Sequence, residues 1–150
     1  MIQCNQFYGS NEMTDRYIVA PYTPDEWESA QSDLKIDPVW YKDQLTNRWP
    51  KIEFYDPQEV YGDKIVHPAL MWGLPVPYKT HITCQLHHEL QRISLDRGVA
   101  EFFVWHRKII DNKYRLFVYK LFIMSVTEHD YLELTSDISI EDIREFRNRY

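Results

Sequence analysis

The run His81-Ile82-Thr83-Cys84-Gln85-Leu86-His87 decides the fold class, because apolar and polar residues alternate along it without interruption. A period of two residues is typical of a β-strand, whose successive side chains point to opposite faces. The apolar face would carry Ile82, Cys84 and Leu86. Residues 91–95 return after a turn at His88-Glu89, so the two runs predict an antiparallel hairpin.

Further strands are predicted on both sides of the hairpin, from short runs of β-branched and aromatic residues. They cover residues 16–22, 51–55, 70–74, 114–126 and 131–135. Pro21 predicts an edge position or an early end for the first of these strands. Residues 56–67, which include Pro57 and Gly62, predict a loop, and residues 1–14 predict a loosely held, irregular segment.

Helices are predicted where a Thr, Asp or Ser residue precedes a suitable first turn. The four start signals are Thr23-Pro24-Asp25-Glu26, Asp37-Pro38, Asp96 and Ser139. Asp96 would cap the main core helix, residues 97–110. In that helix Phe102 or Phe103 would be buried against the sheet, and Arg107 would be one of the more exposed positions. The aromatic run 102–105 also fits a buried strand, and the length of the whole segment favours the helix.

The predicted order of elements is β-α-α-β-β-β-β-α-β-β-α. Short connections between neighbouring strands favour hairpins, and therefore a largely antiparallel sheet. No internal repeat, low-complexity run or linker marks a boundary within the chain. We therefore expect a single α+β domain over residues 1–150, with helices packed on the sheet.

The composition argues against several function classes. The chain has 150 residues and a net charge of −6, which disfavours general nucleic-acid binding because that requires clustered cations. The four glycines are too widely spaced for the phosphate-binding loops of nucleotide-binding folds. The longest apolar stretch, residues 116–126, is shorter than the roughly 20 residues that a membrane helix needs. We expect no nucleic-acid partner and no membrane partner.

Cysteine and histidine usage points to neither a metal nor a redox motif. Cys4 and Cys84 are the only cysteines, and no secretory signal is recognised near Met1, so we expect a cytoplasmic protein with two reduced thiols. His81 and His87 share one strand face but would lie about 20 Å apart at about 3.3 Å per residue, too far to share a metal. No metal site and no cofactor are therefore predicted. Ser94 and the other serines have no recognisable nucleophile context, so catalytic residues stay unknown.

The candidate binding residues are aromatic: Trp27, Trp40, Tyr41, Trp49, Trp72 and Tyr78. Most of them lie in the first half of the chain, residues 1–75, which also carries the entire net charge of −6. Trp and Tyr supply much of the binding energy at protein interfaces. The same side chains also fill protein cores, so the sequence leaves core packing and a binding surface open as alternatives.

The favoured hypothesis is a non-enzymatic protein-interaction module that binds a basic protein partner or associates with itself. Aromatic anchors beside one sign of charge would combine affinity with electrostatic steering. The alternative is an enzyme or small-molecule binder with a pocket in the aromatic-rich half, which a deep pocket with convergent polar groups would favour. Acidity that only keeps the protein soluble also explains the charge.

The second half of the chain contains a distinct set of motifs: Ile93-Ser94-Leu95-Asp96, Phe102-Phe103-Val104-Trp105-His106-Arg107, Leu116-Phe117-Val118-Tyr119, Glu133-Leu134-Thr135 and Ile140-Glu141-Asp142-Ile143. Over residues 50–146 these motifs resemble a set of small bacterial proteins with no assigned function. The apolar run 116–126 is longer here than in that set. The resemblance implies a bacterial protein with a single α+β domain, and it brings no catalytic residue and no activity.

Overall fold

The structure, a computed structural model, describes residues 16–26, 32–62, 67–76, 79–87, 91–120 and 130–148. Contacts between Cα atoms divide the chain into two compact units. One unit is Leu34–Leu95, and the other comprises Met1–Asp33 and Asp96–Tyr150. The expectation of one domain over the whole chain stays a prediction. The predicted irregular segment 1–14 and the predicted turn at His88-Glu89 lie outside the described residues.

The described elements confirm the α+β class. The strands are β1 (Tyr17–Ala20), β2 (Glu53–Tyr55), β3 (Leu70–Val76), β4 (Lys79–His87), β5 (Arg92–Leu95), β6 (Phe117–Lys120) and β7 (Leu132–Glu133). The helices are α1 (Pro38–Arg48), α2 (Pro57–Tyr61), α3 (Ala100–Ile109) and α4 (Ile140–Arg147). Every described pairing between strands within each unit is antiparallel, as the short connections predict.

The unit formed by residues 34–95 contains four strands in the order β2-β3-β4-β5. The period-two pattern of β4 is confirmed, because its predicted apolar face is buried: Ile82, Cys84 and Leu86. Trp72 of β3 is paired with Cys84 and so lies on the same face. The ring of Tyr41, from α1, lies 5.8 Å from that of Trp72, centroid to centroid. The helix therefore covers the face that the alternation marks as apolar.

Two helices of this unit begin with the same local signal. The Asp37 carboxylate accepts a hydrogen bond from the backbone N–H of Val39, and Pro38 occupies the first turn of α1. The Asp56 carboxylate likewise accepts from the N–H of Gln58 at the start of α2. The prediction of a loop over residues 56–67 is therefore wrong in its first half. Asp followed by Pro satisfies a free N–H and presets the backbone angle in both places.

In the other unit the strands β1, β6 and β7 lie side by side in that order. Strand β1 ends at Ala20, just before Pro21, as predicted. The predicted burial of Phe102 or Phe103 in a helix is confirmed, since both are buried, and the Phe103 ring lies 6.1 Å from that of Tyr17 of β1. Helix α4 begins at a capping box between Ser139 and Asp142, as the sequence predicts, and it buries Ile143 and Phe146.

The start of α3 differs from the prediction. The helix begins at Ala100, and Val99 occupies the position before it without a side-chain capping bond. Asp96, the predicted cap, instead lies 3.8 Å from the guanidinium of Arg16. Residues 97–99 are non-helical, and Gly98 among them is buried. Close packing of this segment thus takes precedence over the local capping signal.

Arg107 is buried, which contradicts its predicted exposure. Its side chain is 3% exposed, and its guanidinium donates to four backbone carbonyls. The acceptors and their distances from its nitrogens are Ile110 (2.9 Å), Asp111 (2.8 Å), Tyr114 (2.9 Å) and Leu134 (3.3 Å). The last carbonyls of a helix have no hydrogen-bond partner within the helix. The N–H groups of a single guanidinium can donate to several such carbonyls at once.

Candidate functional site

The six predicted binding residues fall into three groups. Trp27 and Tyr78 lie outside the described residues. Tyr41 and Trp72 have no exposed surface and pack ring to ring in the interior. Trp40 is 38% exposed and Trp49 is half-buried. Among the described residues of this set, only Trp40 and Trp49 therefore offer surface to a partner. Trp40 belongs to α1, and Trp49 is the residue at which α1 ends.

The outer face of α1, defined here as Val39, Trp40 and Asp43, combines apolar surface with a carboxylate. Val39 is 70% exposed, Trp40 is 38% exposed and Asp43 is exposed. Asp43 follows the two apolar residues by four and three positions, so the three side chains are neighbours on the helix surface. No described residue forms an ion pair with Asp43. The face thus presents two apolar side chains and one unpaired negative charge.

Two cations of α1 are directed at aromatic rings of their own unit. The Lys42 ammonium lies 4.8 Å from the centre of the Phe54 ring. The Arg48 guanidinium lies 4.5 Å from the centre of the Trp49 ring. Cation–π contacts of this kind hold the charge over the ring face. These contacts place both cations over rings of the unit, and neither cation forms an ion pair with Asp43.

The net charge does not coincide with the aromatic residues. Residues 34–95, which form one compact unit, contain seven acidic and seven basic residues. Residues 1–33 contain six acidic residues and one basic residue. The compact unit that contains Trp40, Trp49 and Trp72 therefore has no net charge of its own, and an acidic face around these aromatic residues stays a prediction. Counting residues 1–75 together obscures this balance, because most of their negative charge belongs to residues 1–33.

One of the acids before residue 34 has a structural role. The Glu26 carboxylate accepts hydrogen bonds of 3.0 Å from both the N–H and the hydroxyl of Thr23. These bonds, first of all the one from the backbone, lower the pKa of Glu26. They close a 3₁₀ turn at Pro24–Glu26, which is the described part of the helix predicted to start at Thr23. Reversing the charge of Glu26 would therefore disturb the turn as well as the surface potential.

The polar strand face, defined here as Tyr55, Gln85, His87, Arg92 and Ser94, lies on the other side of the same strands from Trp72. Pairing aligns Tyr55 with Met71, Met71 with Gln85, and Gln85 with Ser94. The amide nitrogen of Gln85 donates a 2.7 Å hydrogen bond to the hydroxyl of Tyr61 on α2. All five members of the face are half-buried, so this side of the strands is neither sealed in the interior nor fully open to solvent.

His87 lies beside the charged side chain of this face, Arg92. Its Nε2 atom lies 3.2 Å from the hydroxyl of Ser94, and Arg92 is its direct cross-strand partner. Burial, and then the charge of Arg92, lower the pKa of His87 from 6.5 to about 4. The imidazole is therefore neutral at pH 7. The alternation places His87 on this face, but it cannot reveal Ser94 beside it because that requires the register of the hairpin.

Two other kinds of site are absent from the described residues. Within those segments no three His, Cys, Asp or Glu side chains are grouped in a way that could hold a metal ion. No helix among the same residues is both long and apolar enough to cross a membrane. The described cysteine, Cys84, is buried and not bonded to another cysteine.

Comparison with known proteins adds no relative. No family model, no curated protein and no solved structure matches this chain. Function is therefore inferred from the geometry of the outer face of α1 and of the polar strand face.

Proposed function

We propose that this protein is a protein-interaction module, and that the outer face of α1 binds a basic segment of a partner protein. The supporting observation is the joint exposure of Val39 and Trp40 with the Asp43 carboxylate beside them. Apolar anchors next to an unpaired charge combine the two properties of a steered interface. The anchors contribute affinity, and the charge raises the rate of encounter with a cation.

The chemistry of the partner follows from these three side chains. A basic residue of the partner would pair with Asp43, while an apolar or aromatic side chain would pack on Val39 and Trp40. Lys42 and Arg48 keep their positive charge over the Phe54 and Trp49 rings, so the cation of the partner would pair with Asp43 and not approach these rings. A second cation–π contact, from a partner Arg to Trp40, would add to the binding energy.

Selection from a random-sequence peptide library tests this proposal and does not require the partner to be identified first. Immobilised protein would be expected to enrich peptides in which Lys or Arg lies beside an apolar residue. Affinity for the enriched peptides should then be measured with Trp40→Ala and with Val60→Ala. Val60 of α2 is 55% exposed and provides a matched control for removing exposed apolar surface elsewhere in the unit.

Truncation of an anchor side chain at an interface costs at least about 1 kcal/mol of binding energy, a factor of about 5 in affinity. We expect a loss of this size or greater for Trp40→Ala and unchanged affinity for Val60→Ala. Enriched peptides without basic residues, or equal binding to both variants, would contradict the proposal. A dimer of the protein that dissociates on Trp40→Ala would identify a second copy as the occupant, and would also contradict it.

A further inference from the structure

Arg92 is a half-buried cation without a described counter-charge. It lies in β5, and no ion pair joins it to any carboxylate in the segments that the structure describes. Its Nε atom is buried and has no hydrogen-bond partner among the described residues. Removing a charge from water without pairing it is costly, so a guanidinium in this state has unused capacity to bind an anion.

The neighbours of Arg92 on the polar strand face supply further donors. Ser94 lies two residues along the same strand, and its hydroxyl is 3.2 Å from Nε2 of His87. If His87 donates to Ser94, the serine hydroxyl hydrogen is left free. If Ser94 donates to His87, the Nδ1 hydrogen of the ring is left free. In either tautomer the pair retains one donor hydrogen for a third group.

We propose that Arg92, Ser94 and His87 form a binding site for the oxyanion group of a small molecule, a carboxylate or a phosphate. The guanidinium would bind two oxygens through its planar fork of N–H groups, and the Ser94–His87 pair would donate to a third contact. Arg92 is the direct cross-strand partner of His87, so its charge makes the potential at this place positive. The same positive potential would repel a cation or a metal ion.

The site is independent of the interaction surface on α1. It lies on the face of β4 and β5 opposite to that of Trp72 and Tyr41, whereas α1 packs on the Trp72 side. Failure of one proposal therefore leaves the other intact. The oxyanion site also belongs to a different class of function, recognition of a small molecule rather than of a protein.

Histidine NMR signals would report binding at this site directly. The protein should be titrated separately with inorganic phosphate and with acetate, at constant pH and constant ionic strength maintained with sodium chloride. We expect the His87 ring signals to move along a saturating curve with at least one of the two anions. The anion that saturates at the lower concentration identifies the preferred headgroup.

Three variants make the test specific. Arg92→Gln should weaken anion binding at least about tenfold, because it removes charge-assisted hydrogen bonds. If Arg92→Gln does not fold, Arg92→Lys tests the same contact with the positive charge kept. Anion binding should also be weaker in Arg92→Lys, because lysine lacks the planar fork of N–H groups. Arg48→Gln removes a cation elsewhere in the unit and should leave binding unchanged.

Two outcomes would overturn the proposal. One is the absence of any saturating shift of His87 with either anion. The other is an equal shift of the His87 ring signals in three proteins: wild type, Arg92→Lys and Arg48→Gln. That result would show that anions associate weakly with the protein surface in general and that no specific site exists.

Discussion

Gly98 and the ring of Tyr17 are in direct contact across the unit that contains β1 and α3. A Cβ atom added to Gly98 would lie 2.9 Å from Cε1 and 3.0 Å from Cδ1 of Tyr17. The Tyr17 ring cannot withdraw easily, because the residue is 1% exposed and packs against Phe103. Glycine is therefore required at position 98 by close packing, and this requirement accompanies the late start of α3.

Gly98→Ala should destabilise the protein, since forcing an extra methyl group into a packed interior typically costs about 1–3 kcal/mol. Denaturant unfolding would measure the change. Gly62→Ala is an informative comparison, because a Cβ there meets nothing within 4 Å but the residue has a φ of 63°. The loss of stability in Gly62→Ala should therefore come from backbone strain alone. Unchanged stability of Gly98→Ala would show that Tyr17 can move aside.

Arg107→Ala should lower the free energy of unfolding by at least about 3 kcal/mol, because it removes the donor to the buried carbonyls of Ile110 and Leu134 and to the half-buried carbonyl of Tyr114. Arg107→Lys should recover only part of this loss, since an ammonium group has fewer donors and no planar fork. Lys108→Ala, at the exposed neighbouring position, should change stability by less than about 0.5 kcal/mol. Equal effects of Arg107→Ala and Lys108→Ala would contradict the structural role of Arg107.

The elements that the sequence predicts well carry their signal within a few consecutive residues. The alternation over 81–87 describes one strand with one buried face, and the capping box at Ser139 and Asp142 closes within a single turn. The Asp-Pro signal at Asp37 predicts α1 correctly. The same signal at Asp56 begins α2, where the prediction of a loop is wrong.

The features that the sequence predicts wrongly or leaves open depend on contacts between residues that are distant in sequence. Arg107 is buried because the carbonyl of Leu134 lies beside the C-terminal end of α3, and no local sequence pattern predicts that contact. The pairing of His87 with Ser94 likewise needs the hairpin register. Exposure of Trp40 and burial of Tyr41, adjacent in sequence, depend on how α1 sits against Trp72.

The buried histidines should make stability fall as the pH falls below about 6.5. Burial, and then the charge of Arg107, lower the pKa of His106 from 6.5 to about 3, and the pKa of His87 is lowered to about 4. The unfolded chain therefore binds more protons than the folded protein between these values. Stability is fully present above pH 6.5 and is lost progressively as the pH falls through that window.

Unfolding measurements between about pH 6.5 and about pH 4.5 would test this effect of the histidines. The range stays at or above the ordinary carboxyl pKa of 4.5, below which Glu26 and Glu133 lose their own stabilising contributions. Each buried histidine can contribute up to about 1.4 kcal/mol per pH unit. His106→Gln should make the dependence less steep by about that amount, and an unchanged slope would show that His106 is protonated in the folded state.

The association rate of a basic peptide, selected for binding to the protein, tests the proposed role of the outer face of α1 most directly. Stopped-flow measurements should compare wild type with Asp43→Asn at about 0.1 M and about 1 M salt, where the Debye length falls from about 10 Å to about 3 Å. We predict that the wild-type rate falls with salt, and that Asp43→Asn is slower at low salt and less sensitive to salt. A rate that is independent of salt and equal in the two proteins would contradict a steered interface at Asp43.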